Sequence, residues 1–115
     1  MHIAVVGLNH RSSPVEVRER LAVPQRLLPE ALARMASHPD VLECAIVSTC
    51  NRTEAYAALF SPGAEAVTSE LAALGNLHPT ALDGHLYTHC DDIAVRHLFR
   101  VASGVDSMVL GEDQI

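Results

Sequence analysis

The sequence STCNRTE at residues 48–54 connects two runs, residues 43–49 and 54–59, that alternate in side-chain character. Such alternation on both sides of a short polar connection predicts an antiparallel β-hairpin. The connection holds a thiol, an amide, a guanidinium and a carboxylate within five positions. Thiols prefer burial, so a cysteine in a polar connection is a candidate nucleophile rather than an ordinary turn residue.

The segments outside the hairpin give the order strand, helices, strand, strand, helix, strand, helix. The two remaining predicted strands are residues 2–8 and 86–89, and the predicted helices cover about 14–21, 25–37, 64–74 and 92–103. A hairpin flanked by two β-helix-β units matches the ferredoxin-like split βαβ plan. We therefore expect an α+β domain with a four-stranded antiparallel sheet and helices on one face. The last helix would begin a C-terminal helical subdomain.

The composition predicts one soluble globular domain, with 115 residues, 49% of them hydrophobic and 19% charged. No apolar run reaches the roughly 18 residues of a membrane span, and no secretion signal is present, so we expect a cytoplasmic location. The net charge of −6 argues against a broad nucleic-acid platform, although a small local contact stays open. The chain stops without a helix stop signal, and we expect it to continue in a longer protein.

The three cysteines, Cys44, Cys50 and Cys90, are an odd number without a disulfide-framework spacing. This pattern is typical of a reducing compartment. His85, His89 and Cys90 form a His-x-x-x-His-Cys pattern, but the chain has no Cys-x-x-Cys pair. Structural zinc sites usually contain such a pair, so we expect no metal site.

Cys50 and His97 are the candidate catalytic pair. Considered singly, Cys50 also fits an inert thiol at a strand end, and His97 fits a core residue on an apolar helix face. Arg52 is either a surface charge or a two-pronged ligand for a carboxylate. Asn51 is either a turn residue or a donor to a developing oxyanion.

Two features near the C-terminus also allow more than one interpretation. Asp92, Arg96 and Arg100 recur at four-residue spacing and predict a solvated ion-pair face on the last helix. The tail from Ser103 to Gln114 is polar at intervals. It fits either a loop between helices or a set of donors and acceptors for a small polar ligand.

Three separated stretches together resemble the N-terminal catalytic domain of glutamyl-tRNA reductase. They are GLNHRSSP at 7–14 with RER at 18–20, STCNRTE at 48–54, and HLFRVASG at 97–104 continuing to LGEDQI at 110–115. The resemblance extends over the whole chain, and the stretches stand in the family's order. Asp113 departs from the pattern, because the family often has proline there.

This resemblance implies an NADPH-dependent oxidoreductase of tetrapyrrole biosynthesis. Cys50 would attack the ester that joins glutamate to its tRNA, and a hydride from NADPH would reduce the thioester to glutamate-1-semialdehyde. His97 matches a histidine important for activity, and Arg52 is expected to bind the side-chain carboxylate of the substrate. The other substrate-binding residues that the family match implies are Thr49, Asn51, Ser107, Glu112, Asp113 and Gln114.

The family's NADPH-binding and dimerisation domains are absent from residues 1–115, which we expect to be the catalytic domain alone. No Gly-x-Gly-x-x-Gly pattern follows a strand, so this chain should not bind NADPH or complete the reduction by itself. The resemblance also implies a full-length homodimer that acts on glutamyl-tRNA, with glutamate-1-semialdehyde aminotransferase as a further partner.

Two other functions fit the same residues. Cys50 and His97 also suit a cysteine-dependent acyltransferase or hydrolase without a hydride step. The ferredoxin-like sheet also suits a regulatory module that binds an amino acid. Glutamyl-tRNA labelled in its amino acid should leave label on Cys50 of a reductase, whereas a regulatory module would acquire none.

Overall fold

The computed structural model describes residues 1–104. The strands are β1 (His2–Asn9), β2 (Val41–Ser48), β3 (Arg52–Leu59) and β4 (Tyr87–Cys90). The α-helices are α1 (Val15–Leu21), α2 (Leu28–Ala36), α3 (Glu65–Leu74) and α4 (Asp92–Ala102). Two short 3-10 turns, Gln25–Leu27 and Pro79–Leu82, precede α2 and β4.

The sheet has the strand order β2-β3-β1-β4, and every neighbouring pair is antiparallel. Two β-helix-β units with an intervening hairpin generate this order, so the predicted ferredoxin-like split βαβ fold is confirmed. The backbone N–H of Thr49 donates to the carbonyl of Arg52 at 2.8 Å. Cys50 and Asn51 therefore form the tip of the β2–β3 hairpin.

The central strand β1 is buried on both faces, from Ala4 to Asn9. Helices α1, α2 and α3 cover one face, where apolar side chains of β1 and β3 meet the inner sides of the helices. The largest fully buried members of this cluster are Leu8, Leu21, Met35, Leu59, Leu71 and Leu82. Burying a side chain of this size contributes about 1.5–3 kcal/mol, so this face supplies most of the apolar stabilisation.

Helix α4 lies against the opposite face, where Ala94 packs on Val5 and Tyr56. The expectation of helices on one face thus holds for α1 to α3, and α4 adds a second layer. The apolar residues Ile93 and Phe99 of α4 remain 61% and 70% exposed. The space between α4 and the sheet holds few apolar side chains and a group of polar ones, which form the candidate site.

Candidate active site

Cys50 is a free and exposed cysteine at the tip of the β2–β3 hairpin. Its neighbours hold the tip in shape, because the backbone N–H of Asn51 donates to the Thr49 hydroxyl at 3.2 Å. The alternative of a buried, inert thiol therefore does not apply to Cys50. Cys44 fits that description better, because burial raises the pKa of its thiol.

Arg52 and Glu54 lie side by side on the sheet face that α4 covers. Side chains two residues apart on a strand point to the same face, and β3 begins at Arg52. Both side chains are buried, with 1% of Arg52 and 0% of Glu54 exposed, and Nη1 of Arg52 is 3.5 Å from Oε2 of Glu54. The alternative of a surface charge is therefore wrong for Arg52.

Gly7 leaves the space that the Glu54 side chain occupies. It pairs with Glu54 on β3 and with Tyr87 on β4, so the three residues form one row across the sheet. A Cβ atom at Gly7 would lie 2.8 Å from Cγ of Glu54 and 2.7 Å from the Thr53 carbonyl oxygen. Because Gly7 has no side chain, the Tyr87 hydroxyl reaches Oε2 of Glu54 at 2.5 Å.

The carboxylate of Glu54 accepts hydrogen bonds from three elements. Tyr56 of β3 donates to Oε1 at 3.0 Å, while Tyr87 of β4 and Nε2 of His97 of α4 donate to Oε2. Burial alone would raise the pKa of Glu54. The hydrogen bonds from His97 and Tyr87 and the charges of His97 and Arg52 outweigh burial and lower that pKa. Glu54 is therefore ionised at neutral pH.

Tyr87 remains protonated in this environment. Burial raises the pKa of its hydroxyl, and the negative charge of Glu54 and the hydrogen bond to it raise that pKa further. The Tyr87 ring also contacts two imidazoles, with centroid distances of 5.6 Å to His89 and 5.3 Å to His97. The two imidazoles are 4.8 Å apart. These contacts hold the His97 ring from the side of β4.

The hydrogen bond to Glu54 fixes which nitrogen of His97 carries the proton when the ring is neutral. An ionised carboxylate can only accept, so Nε2 must be the protonated nitrogen. The other nitrogen, Nδ1, has no hydrogen-bond partner among residues 1–104. With 11% of its side chain exposed, His97 is neither a sealed core residue nor a surface group.

A cavity of about 370 Å³ opens beside His97. Its lining residues are Asn9, Tyr87, His89, Ile93, Arg96, His97 and Arg100. The ion pairs expected along Asp92, Arg96 and Arg100 do not form, because no described residue makes a salt bridge with any of the three. The prediction of an ion-pair face on α4 is therefore wrong.

The structure brings only some of the predicted site residues together. Arg52 and His97 meet through Glu54, whereas Thr49, Cys50 and Asn51 stand at the hairpin tip. No hydrogen bond joins the Cys50 thiol to the His97 ring in the part of the chain that the structure describes. The four predicted positions Ser107, Glu112, Asp113 and Gln114 lie outside the described residues.

Sequence reasoning gave no role to Glu54, Tyr56 or Tyr87. Glu54 was part of the quoted motif, and its spacing of two from Arg52 was the available signal, because such residues share a face of a strand. Tyr56 lies two residues after Glu54 on β3, so its side chain points to the same face of the sheet. The predicted ferredoxin-like plan places β4 beside β1, but it does not give the register that puts Tyr87 in one row with Gly7 and Glu54.

The described residues offer little to a metal ion or a dinucleotide. No group of three His, Cys, Asp or Glu side chains suitable for a metal occurs within residues 1–104. The β1–α1 connection at residues 10–14 has no glycine, and the neighbouring strands are antiparallel, so neither the phosphate cradle nor the parallel sheet of a dinucleotide site is present there. In the same range, no helix has the length and apolar character needed to cross a membrane.

The fold and the candidate site together define a ferredoxin-like domain with an exposed thiol at a hairpin tip and a buried carboxylate bound to a histidine. The chain belongs to the family of glutamyl-tRNAGlu reductase N-terminal domains, whose model matches residues 6–115. This result confirms the resemblance that the three sequence stretches carry.

Individual relatives agree with the family match. The glutamyl-tRNA reductase of Synechococcus sp. (strain CC9311) is 49% identical over 117 residues, covering 100% of this chain and 27% of the relative. That of Xanthomonas campestris pv. campestris (strain B100) is 50% identical over 115 residues, covering 100% of this chain and 25% of the relative. The solved structure of glutamyl-tRNA reductase from Methanopyrus kandleri has a TM-score of 0.65 and 29% sequence identity. The match covers 97% of this chain and 25% of that one. The chain therefore spans about a quarter of the length of these relatives.

Proposed function

We propose that this chain is the acyl-accepting domain of a glutamyl-tRNA reductase. The Cys50 thiolate attacks the carbonyl carbon of the ester between glutamate and the terminal ribose of the tRNA. A carbon–sulfur bond forms and the carbon–oxygen bond to the ribose breaks, so the ribose oxygen leaves with the electron pair and takes up a proton. The exposure of Cys50 at the hairpin tip, in a chain of this family, carries the proposal.

His97 is the group we propose for the proton transfers. Because Glu54 keeps the proton on Nε2, only Nδ1 is left to exchange a proton. Neutral His97 accepts the thiol proton at Nδ1, and the resulting imidazolium returns it to the leaving ribose oxygen. Because the pKa of Glu54 is lowered, its carboxylate is ionised and its negative charge stabilises the adjacent imidazolium. The roles of base and leaving-group acid thus belong to one nitrogen at successive steps.

Thr49 and Asn51 flank the nucleophile, and we propose that they position the glutamyl group. The Asn51 amide is suited to donate to the oxyanion that forms when the thiolate adds. Arg52 keeps its proposed role toward the side-chain carboxylate of the substrate. It is 1% exposed and beside Glu54, so it must first be uncovered to make that contact. Further substrate contacts are proposed for Ser107, Glu112, Asp113 and Gln114 on the family match alone.

The whole protein would be a cytoplasmic NADPH-dependent enzyme that reduces the glutamyl thioester to glutamate-1-semialdehyde for tetrapyrrole biosynthesis. The described residues do not fit the dinucleotide, so the hydride would come from a domain outside this chain. The chain alone should therefore stop at the thioester or hydrolyse it slowly. A homodimer formed by a further domain and an aminotransferase that receives the aldehyde complete the proposal for the whole protein.

Acyl trapping tests the proposal. We expect the chain incubated with tRNA carrying radiolabelled glutamate to keep the label through denaturing electrophoresis and to lose it on treatment with hydroxylamine. Cys50→Ala should abolish the labelling. Cys90→Ala is the matched control, because Cys90 is also free and exposed and should keep full labelling. Labelling of the Cys50→Ala variant, or none of the unchanged chain, would refute the nucleophile.

A further inference from the structure

The cavity beside His97 is lined by cations that no described carboxylate neutralises. Arg96 and Arg100 are exposed, stand one helical turn apart on α4, and both line the cavity. Neither guanidinium group makes a salt bridge or hydrogen bond with another residue of the range 1–104. This arrangement contrasts with the chain as a whole, whose net charge is −6.

The acidic group that contacts His97 is already paired with other described residues. The charge of Glu54 is offset by Arg52 and bound by Tyr56, Tyr87 and His97. No aspartate or glutamate is among the lining residues that belong to the range 1–104. Within the described part of the chain, the two positive charges of Arg96 and Arg100 therefore line the cavity without an ion-pair partner.

The neutral polar group in the lining is also a donor. The side-chain oxygen of Asn9 accepts from the backbone N–H groups of Arg11 at 2.9 Å and Ser12 at 3.1 Å. Its amide nitrogen is thus the end that remains for a ligand. The Tyr87 hydroxyl is used by Glu54. A ligand that binds Arg96, Arg100 and the Asn9 amide must consequently supply acceptors to all three, and an anion supplies them best.

We propose that this cavity is a phosphate-binding subsite for the acceptor end of a tRNA, with Arg96 and Arg100 as its ligands. The inference rests on the proposed function, in which the substrate is a tRNA ester. A guanidinium binds phosphate and carboxylate equally well in geometry. A tRNA presents one phosphate per nucleotide and only one glutamyl carboxylate, so paired exposed cations fit successive phosphates. Such a subsite would hold the acceptor strand beside His97.

The salt dependence of tRNA binding tests the subsite directly. Each phosphate contact to a single strand contributes about 0.7 to the slope of log K against log salt, so Arg96→Gln with Arg100→Gln should reduce the slope by about 1.4. The measurement uses unacylated tRNA for glutamate and fluorescence anisotropy. The salt concentration is varied from about 50 to about 300 mM, a range over which the Debye length shortens. An unchanged slope, or no binding by the unchanged chain, would overturn the subsite.

A charge-matched double variant provides the control. Arg26→Gln with Arg34→Gln also removes two exposed positive charges, from α2 and the turn before it, and should leave the slope unchanged. An equal reduction in this control would mean that general charge, and not the cavity, governs binding. That result would also overturn the subsite.

A substrate without phosphate separates this inference from the proposed function. The Arg96→Gln, Arg100→Gln variant should lower the ratio of Cys50 acylation by glutamyl-tRNA to acylation by glutamate ethyl ester, on the order of tenfold near 0.1 M salt. Equal losses with both esters would assign the arginines to the glutamyl carboxylate and reject the phosphate subsite. If the unchanged chain is acylated and the double variant has the same ratio between the two esters, the phosphate subsite is rejected and the proposed function is retained.

Discussion

Glu54 is a buried charge whose partners come from three separate elements. Removing its negative charge while keeping its shape leaves Arg52 buried beside a neutral amide. We expect Glu54→Gln to lower the free energy of unfolding by about 3 kcal/mol or more, as measured by urea denaturation at pH 7. Glu70→Gln is the matched control, because Glu70 pairs with Arg34 at 3.7 Å where the Arg34 side chain is 61% exposed. Its cost should stay within about 1 kcal/mol.

The stabilisation from Glu54 should also depend on pH with a definite sign. Its pKa is lower in the folded chain than the ordinary value of 4.5, so the ionised form favours folding. That contribution is fully present above about pH 4.5 and disappears as the pH falls through the lower folded pKa. Urea denaturation of the unchanged chain and of Glu54→Gln is compared from about pH 6 to about pH 3. The difference between their free energies of unfolding should shrink below pH 4.5. A difference that grows on acidification would contradict the assignment.

At the scale of elements, the hairpin shows what the sequence could and could not predict. Both strands and the polar connection were predicted, but the second strand was placed at residues 54–59, and β3 begins at Arg52. The extra pairing comes from β1, where Asn9 pairs with Arg52. A contact between residues so distant in sequence leaves no local pattern, and it moves Arg52 from the connection into the buried face.

Helix α4 shows the same limit for side chains. Its existence and bounds follow from its periodic pattern, and the structure ends it at Ala102. The predicted pairing of Asp92 with Arg96 relied on their spacing alone. An ion pair at this spacing contributes only about 0.3–0.5 kcal/mol on an exposed helix. Such a small energy does not fix long side chains, so neighbouring elements decide where they lie.

Helix α4 also delivers His97, and this leads to a prediction for the helix. We expect His97→Asn to slow acylation of Cys50 by 10²- to 10⁴-fold, as expected for loss of general acid–base catalysis. Far-UV circular dichroism should remain that of a folded chain, because the core on the α1–α3 side does not include His97. Full activity would reject the proton-transfer role, and global unfolding would assign His97 to the core instead.

At the scale of the whole molecule, stability and the candidate site lie on different faces of the sheet. The face under α1, α2 and α3 holds the main apolar cluster, whereas among residues 1–104 the cluster on the α4 face buries only Val5, Tyr56 and Ala94. We expect amide hydrogens of α4 and β4 to exchange with solvent faster than those of β1 and β3. Hydrogen exchange read by mass spectrometry after pepsin digestion checks this order, and uniform protection of all strands and helices would contradict it.

Strand β4 is only four residues long and stands at the edge of the sheet, yet it and α4 supply Tyr87 and His97 to a carboxylate held by β3. Fraying of this edge removes two of the donors around Glu54 while the rest of the domain stays folded. Gentle warming should therefore inactivate the protein reversibly several degrees before it melts. Any partner or downstream segment that clamps the edge would extend its working temperature without touching the nucleophile.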